Sequence, residues 1–195
     1  MTSRPCEHCD GQLPLTARAD ARYCSGRCRT AACRARRTIP AELTGRARWV
    51  RRSARKVPLT PGGAVASSTD PATWSRYRDA AASSAGVGLG FVLDGDGIVC
   101  LDLDHCLDSD GELLPWAQRV LDAVPATWVE RSVSGRGIHI WGRGSLPGGA
   151  GRRLALGSGS VELYSTGRFI AVTGRTWGGT PRRLGDVQRV IDALL

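Results

Sequence analysis

The stretch Ile98 to Asp108 reads IVCLDLDHCLD and ends an apolar run on two carboxylates one residue apart. Side chains alternate along a strand, so Leu101 and Leu103 point to one face while Asp102 and Asp104 share the other. Two like charges held side by side repel unless something positive sits between them. That end of the strand is therefore either open to water or holds a metal, and the surrounding sequence decides which.

Outward from this stretch, short strands are expected at Val87 to Leu93, Ile98 to Asp104, Val129 to Val133, Ile138 to Trp141, Val161 to Tyr164 and Phe169 to Thr173. Between the second and third, PWAQRVLDAV repeats Trp116, Val120, Leu121 and Val124 at helical spacing behind Pro115. The C-terminal DVQRVIDALL does the same with Val187, Val190, Ile191 and Leu194. Asp70-Pro71 is read as the cap and first turn of a further helix running to about Ser84. Strands and helices alternate too unevenly for a doubly wound parallel sheet, which points to an α+β domain with a mostly antiparallel sheet.

The chain has 195 residues, is 42% hydrophobic and carries a formal net charge of +9. That is enough apolar content for a real core, and the charge points to a polyanionic partner, nucleic acid first. Lys56 is the only lysine; the other basic residues of the excess are arginines. The N-terminus has no apolar stretch behind its arginine, and the longest apolar runs are far too short to cross a bilayer. A cytoplasmic protein without a membrane partner is expected.

Five of the seven cysteines fall within residues 1–37, a composition boundary. Cys6-x2-Cys9 and Cys24-x3-Cys28 supply four thiolates for a closed tetrahedral structural Zn2+ site. His8 and Cys33 are alternative ligands, with Cys33 read as a buried thiol on the helix that Cys24 and Cys28 start. Arg34, Arg36 and Arg37 would offer charge to phosphates, and the basic run continues through Arg46, Arg48, Arg51 and Arg52. Residues 38–69 read as a basic, then Gly/Pro/Ser-rich connection, leaving 70–195 as the main domain.

Two further segments bear on the carboxylates. Ser132-Val-Ser134-Gly-Arg136-Gly-Ile-His139-Ile-Trp141 joins a glycine turn, a hydroxyl, an arginine and a histidine that opens a strand. Val161-Glu162-Leu-Tyr164-Ser-Thr-Gly-Arg168-Phe169 places a carboxylate between apolar neighbours with an arginine past a turn. Three carboxylates can bind two divalent cations that clamp the attacking and leaving oxygens of a phosphoryl transfer. Backbone N–H groups, Arg136 and His139 can hold a triphosphate. The segment Gly142 to Gly159, with Arg143, Arg152 and Arg153, reads either as a glycine-rich loop that tracks a nucleic-acid strand or, equally, as simple disorder.

The order DLD, then SGRGIH, then VELY with GRF resembles the catalytic core of the archaeo-eukaryotic primase superfamily, and in particular the bifunctional primase/polymerase (prim-pol) N-terminal domain of phages and plasmids. The resemblance runs from about Trp49 to Thr176 and includes Lys56-Val-Pro58, Ser68-Thr-Asp-Pro-Ala-Thr-Trp74, Val87-Gly-Leu-Gly-Phe-Val92, ELLPWA and Phe169-Ile-Ala-Val-Thr-Gly174. It implies an RRM-like sheet carrying an acidic triad, joined to a small α/β unit and here preceded by a treble-clef-like zinc finger. Asp102 and Asp104 would be the first acidic motif and Glu162 the third, holding Mg2+ or Mn2+. Ser134 and His139 would form the nucleotide-binding motif, with Arg136 and Arg168 as phosphate contacts. The activity implied is template-dependent primer synthesis or extension on DNA, single-stranded by expectation, from nucleoside triphosphates. Prim-pol domains often precede a helicase; this sequence ends at Leu195, so unwinding is expected from a separate chain. A non-catalytic zinc-finger replication accessory and a metal-dependent nuclease are the alternatives.

Overall fold

The structure is a computed structural model and describes residues 4–18, 20–36, 38–149 and 151–195, with the side chains of Ala35 and Arg36 outside that description. The cysteine-rich segment contributes α1 (Gly26–Arg36). After α2 (Ala41–Thr44) come β1 (Trp49–Arg52), β2 (Pro58–Leu59), α3 (Tyr77–Ala82), β3 (Gly88–Asp94) and β4 (Ile98–Asp104). α4 (Pro115–Ala123), β5 (Val129–Arg131), β6 (Ile138–Arg143), β7 (Arg152–Leu156), β8 (Gly159–Tyr164), β9 (Thr166–Val172), β10 (Gly185–Asp186) and α5 (Gln188–Leu194) complete the chain.

The strands form two mostly antiparallel sheets, in keeping with an α+β fold. One has the order β2-β1-β3-β9; the other runs β10-β6-β4-β8-β7, with β5 also paired to β6. All strand pairings are antiparallel except β10 with β6. Two cores follow from the alternation of strand residues. Val99, Leu101 and Leu103 of β4 pack with Trp116, Val120, Val190 and Ile191 of α4 and α5. The opposite face of β4 begins with Ile98 and Cys100 and packs with Trp49, Phe91, Trp128 and Trp141 against the other sheet. Edge contacts between aromatic rings run from Tyr77 through Trp49 and Phe91 to Trp141. Asp102 and Asp104 continue that second face beyond the intersheet core.

Several expectations change. The helix expected from Asp70 to Ser84 is broken: Asp70 caps a single 3-10 turn, Pro71–Thr73, and α3 starts only at Tyr77. Between them Ser75 exchanges backbone hydrogen bonds with Trp49 in both directions, pulling the chain into extended form beside β1. The segment Gly142 to Gly159 is not a plain loop, since it contains β7, paired along its length with β8. Residues 49–59, within the stretch read as a connection, are two strands of the four-stranded sheet. Cys33 is exposed rather than buried.

The basic run also fails as a continuous phosphate-facing surface. Arg48, Arg51 and Arg52 are buried in or beside β1, where carboxylates and carbonyls replace part of the water that guanidinium groups require, Arg48 Nη1 and Arg52 Nε being left without a hydrogen-bond partner among the described residues. Arg48 and Arg46 pair with Asp96. Arg51 donates to Glu7 at 2.6 Å and to the carbonyl of Ala85 at 2.6 Å. Arg34 is exposed, while Arg37 and the side chain of Arg36 lie outside the described residues.

Candidate active site

Strand register brings the sequence motifs into one row. Asp102 stands directly opposite His139 on one side and Glu162 on the other. His139 is opposite Glu130, and Glu162 is opposite Arg153. Five adjacent strands thus carry Glu130, His139, Asp102, Glu162 and Arg153 on the face away from α4 and α5, because opposed residues of an antiparallel pair share a face. Asp104 lies one side-chain repeat farther along β4, opposite Ser160.

At Asp102 and His139 this row meets a cleft of about 300 Å³ lined by residues of both sheets. Asp102, Asp104, Ser134, His139 and Arg168 line it, as do Lys56 and Ser68. Glu162 and Arg136 are not among the lining residues: Glu162 stands beside Asp102 with its carboxylate on Tyr164 and Arg153, while the Arg136 side chain is exposed and its carbonyl accepts from the backbone N–H groups of Cys106 and Leu107. The turn around it is tight. Ser132 donates its backbone N–H to Gly137 O, Ser134 Oγ accepts from Arg136 N at 3.3 Å, and the two serine hydroxyls are 3.1 Å apart. A Cβ at position 137 would meet Leu103 O at 2.6 Å, which explains the glycine there.

His139 is buried and held between carboxylates. Its Nδ1 is 3.0 Å from Glu130 Oε1, and because an ionised carboxylate only accepts, Nδ1 is the donor. Its Nε2 faces Asp102 Oδ1 at 3.7 Å. Burial opposes a charge on the ring, but Asp102 and Glu130 outweigh it and raise the imidazole above its ordinary range. Asp102 is also raised, first by burial, with Asp104 and Glu162 adding repulsion and His139 opposing them. Glu162 accepts from Tyr164 OH and pairs with Arg153 at 3.5 Å. Burial, then the Glu162 carboxylate, pushes the Tyr164 phenol up to about 12, and Arg168 stacks over its ring at 4.8 Å.

The donor set suits a hard divalent cation. Among the described residues Asp102 Oδ1 is buried without a hydrogen-bond partner, the state expected of an oxygen meant for a metal. The three carboxylates do not converge as tightly as the cysteines, which alone among the described residues form a group whose ligand atoms all lie within 4.8 Å. Cys6, Cys9, Cys24 and Cys28 make up that group, with Cys9–Cys24 and Cys24–Cys28 sulfurs 3.7 and 3.5 Å apart. A tetrahedral zinc with bonds of ~2.3 Å separates its sulfurs by roughly 3.8 Å, so the cluster fits that ion. Burial opposes it, yet backbone N–H groups of Cys24, His8 and Cys9 bring the Cys6 thiol down to about 7. Cys9, although lowered by the Gly11 N–H, is pushed up to about 12 by burial and by the Cys6, Cys24 and Cys28 sulfurs. Four such groups cannot all ionise without a cation among them.

The module is docked against the two-sheet body. Glu7 pairs with Arg22 at 2.7 Å and Arg51 at 2.6 Å, and Arg22 also donates to Ala81 O. His8 and Asp10 share a crevice of about 40 Å³ with Arg52, Val133 and Arg175. Arg175 in turn donates to the carbonyls of Ser132 and Val133, at the base of the serine turn.

Two residues of the site escaped the sequence reading. Glu130 carries one signal, a carboxylate directly after the apolar pair Trp128-Val129; Lys56 carries another, its solitude in an arginine-rich chain.

A family model described as bifunctional DNA primase/polymerase, N-terminal, matches residues 15–192. The DNA primase-polymerase of Nitratiruptor phage NrS-1 is 36% identical over 138 residues, which cover 67% of this chain and 19% of that protein. The chain is thus similar to a minor part of the phage protein's length. Among the described residues no helix is long and apolar enough to cross a membrane.

Proposed function

Because the chain belongs to the bifunctional DNA primase/polymerase N-terminal family, we propose that it is a template-dependent nucleotidyltransferase that makes or extends primers on DNA in the replication of a phage, plasmid or other mobile element. The observation that carries this is the register of Asp102 between His139 and Glu162, with Asp102, Asp104 and His139 lining the cleft. Asp102, Asp104 and Glu162 would hold Mg2+ or Mn2+. Bound there, such cations supply positive charge to the attacking and leaving oxygens of an in-line phosphoryl transfer. Ser134 presents its hydroxyl to the triphosphate at the mouth of the cleft, and Glu130 aims His139 so that Nε2 faces the reacting groups. Arg168 supplies a guanidinium from the opposite wall. Single-stranded DNA template and nucleoside triphosphates are the partners, and Cys6, Cys9, Cys24 and Cys28 hold a structural Zn2+.

The test is template-dependent extension with Mg2+ or Mn2+, each nucleotide type supplied separately. The wild type should extend. Asp102→Asn, Asp104→Asn and Glu162→Ala should each abolish extension while leaving DNA affinity nearly intact. Extension at wild-type level by the double Asn variant would end this proposal. DNA binding without any extension by the wild type would favour an accessory role, and template cleavage dependent on Asp102 would favour a nuclease.

A further inference from the structure

Lys56 sits at the tip of the hairpin between β1 and β2, where Arg51 pairs with Leu59 and Arg52 with Pro58. The tip is fixed: Ser53 N–H donates to Val57 O, Lys56 N–H donates to Ser53 O, and Ser53 Oγ accepts from Val57 N–H. Lys56 itself has φ +58°, in the left-handed region that favours glycine. A position selected only for turn stability would hold glycine or asparagine. Strained non-glycine backbone of this kind concentrates at functional sites.

The side chain is exposed and lines the cleft together with Asp102, Asp104 and His139. Its charge acts on both Asp102 and His139. With Arg136 outside the cleft, Lys56 and Arg168 are the lining residues with permanent positive charge. Chemistry explains why a lysine stands here among so many arginines. Guanidinium is a rigid fork suited to a fixed oxyanion pair, whereas ammonium is a compact charge on a flexible stem with three rotatable donors. Such a group can stay in contact with a phosphate chain that shifts as pyrophosphate departs.

Resting on the nucleotide site proposed above, we propose that Lys56 is a substrate-binding residue that engages the β- and γ-phosphates of the incoming nucleoside triphosphate from the hairpin side of the cleft. The full chain is compared with Lys56→Met, Lys56→Gly and Lys56→Arg in equilibrium binding of a deoxynucleoside triphosphate, its monophosphate and single-stranded DNA, alongside thermal melting. Losing one charge-assisted contact should weaken triphosphate binding of the Met and Gly variants by about ten- to a hundredfold. Monophosphate and DNA affinity should hold, and Lys56→Arg should recover most of the loss. Lys56→Gly should melt at or above the wild-type temperature, because glycine relieves the backbone strain. Unchanged triphosphate affinity in Lys56→Met would overturn the assignment, as would an equal loss of DNA affinity or a marked fall in melting temperature for Lys56→Gly. A wild type that binds no triphosphate would overturn the nucleotide site itself, and this assignment with it.

Discussion

Glu130 is fully buried, and its carboxylate accepts from His139 Nδ1, Trp141 Nε1, Thr173 N, Thr173 Oγ1 and Gly174 N. Five donors around one carboxylate leave no room for an amide in its place. In Glu130→Gln one end of the side chain must present N–H groups to N–H or O–H donors, which should cost about 1–3 kcal/mol in denaturant unfolding. If the amide nitrogen takes the Oε1 place, Nδ1 of His139 becomes an acceptor and the tautomer reverses. Imidazole nitrogen-15 shifts should report that reversal directly. KM for nucleotide should rise more than kcat falls, since the ring keeps its place and only its proton moves. An unchanged Nδ1 proton would mean that Glu130 serves packing alone.

At the scale of elements, β1 shows how charge can mislead. Trp49-Val-Arg-Arg52 has the look of a basic surface run, yet all four residues are buried. Arg51 is fully buried against Glu7 of the cysteine module, so in Arg51→Ala a carboxylate whose side chain is only 7% exposed is left to Arg22, and the carbonyl of Ala85 loses its donor. Losing one of two charged partners together with a buried hydrogen bond costs about 1–3 kcal/mol. Arg78→Ala removes a guanidinium that is 74% exposed and should change stability by less than about 0.5 kcal/mol. Urea unfolding of the two variants side by side checks the contrast; equal effects would mean that the module's docking contributes nothing. The acid-bearing strand, its partners and α4 and α5 were legible because their apolar periodicity is strong and local. The burial of β1, the break at Ser75 and the strand β7 were not, because each depends on a partner distant in sequence. Within the site, Asp102, Asp104, Ser134 and His139 were readable as motifs and do line the cleft. Glu162 and Arg136 do not line it, the latter because the direction of a turn residue depends on how its contacts with Cys106 and Leu107 anchor it.

At the scale of the whole molecule, the seven cysteines sort by environment. Cys100 and Cys106 are buried; burial first of all pushes Cys106 up to about 12 and Cys100 well above the ordinary thiol range. Thiolate is the reactive form, so both should be inert in the native chain. With zinc on the four-sulfur cluster, Cys33 is left as the one thiol open to a disulfide reagent. Native protein should react at a single cysteine and carry one zinc by elemental analysis; denatured, chelated protein should react at all seven. Two or more fast native thiols with no zinc would refute the metal assignment. The passage of one β4 face from intersheet core at Ile98 and Cys100 to cleft at Asp102 and Asp104 has a further consequence, for insertions and deletions. One residue added after Cys100 would turn both aspartates toward α4 and α5 and both leucines into the cleft. Two residues added would restore the facing but slide the aspartates about 7 Å along the strand, past His139 and Glu162. Strand β4 therefore tolerates substitution more readily than a change of length, which is confined to the connections at its two ends.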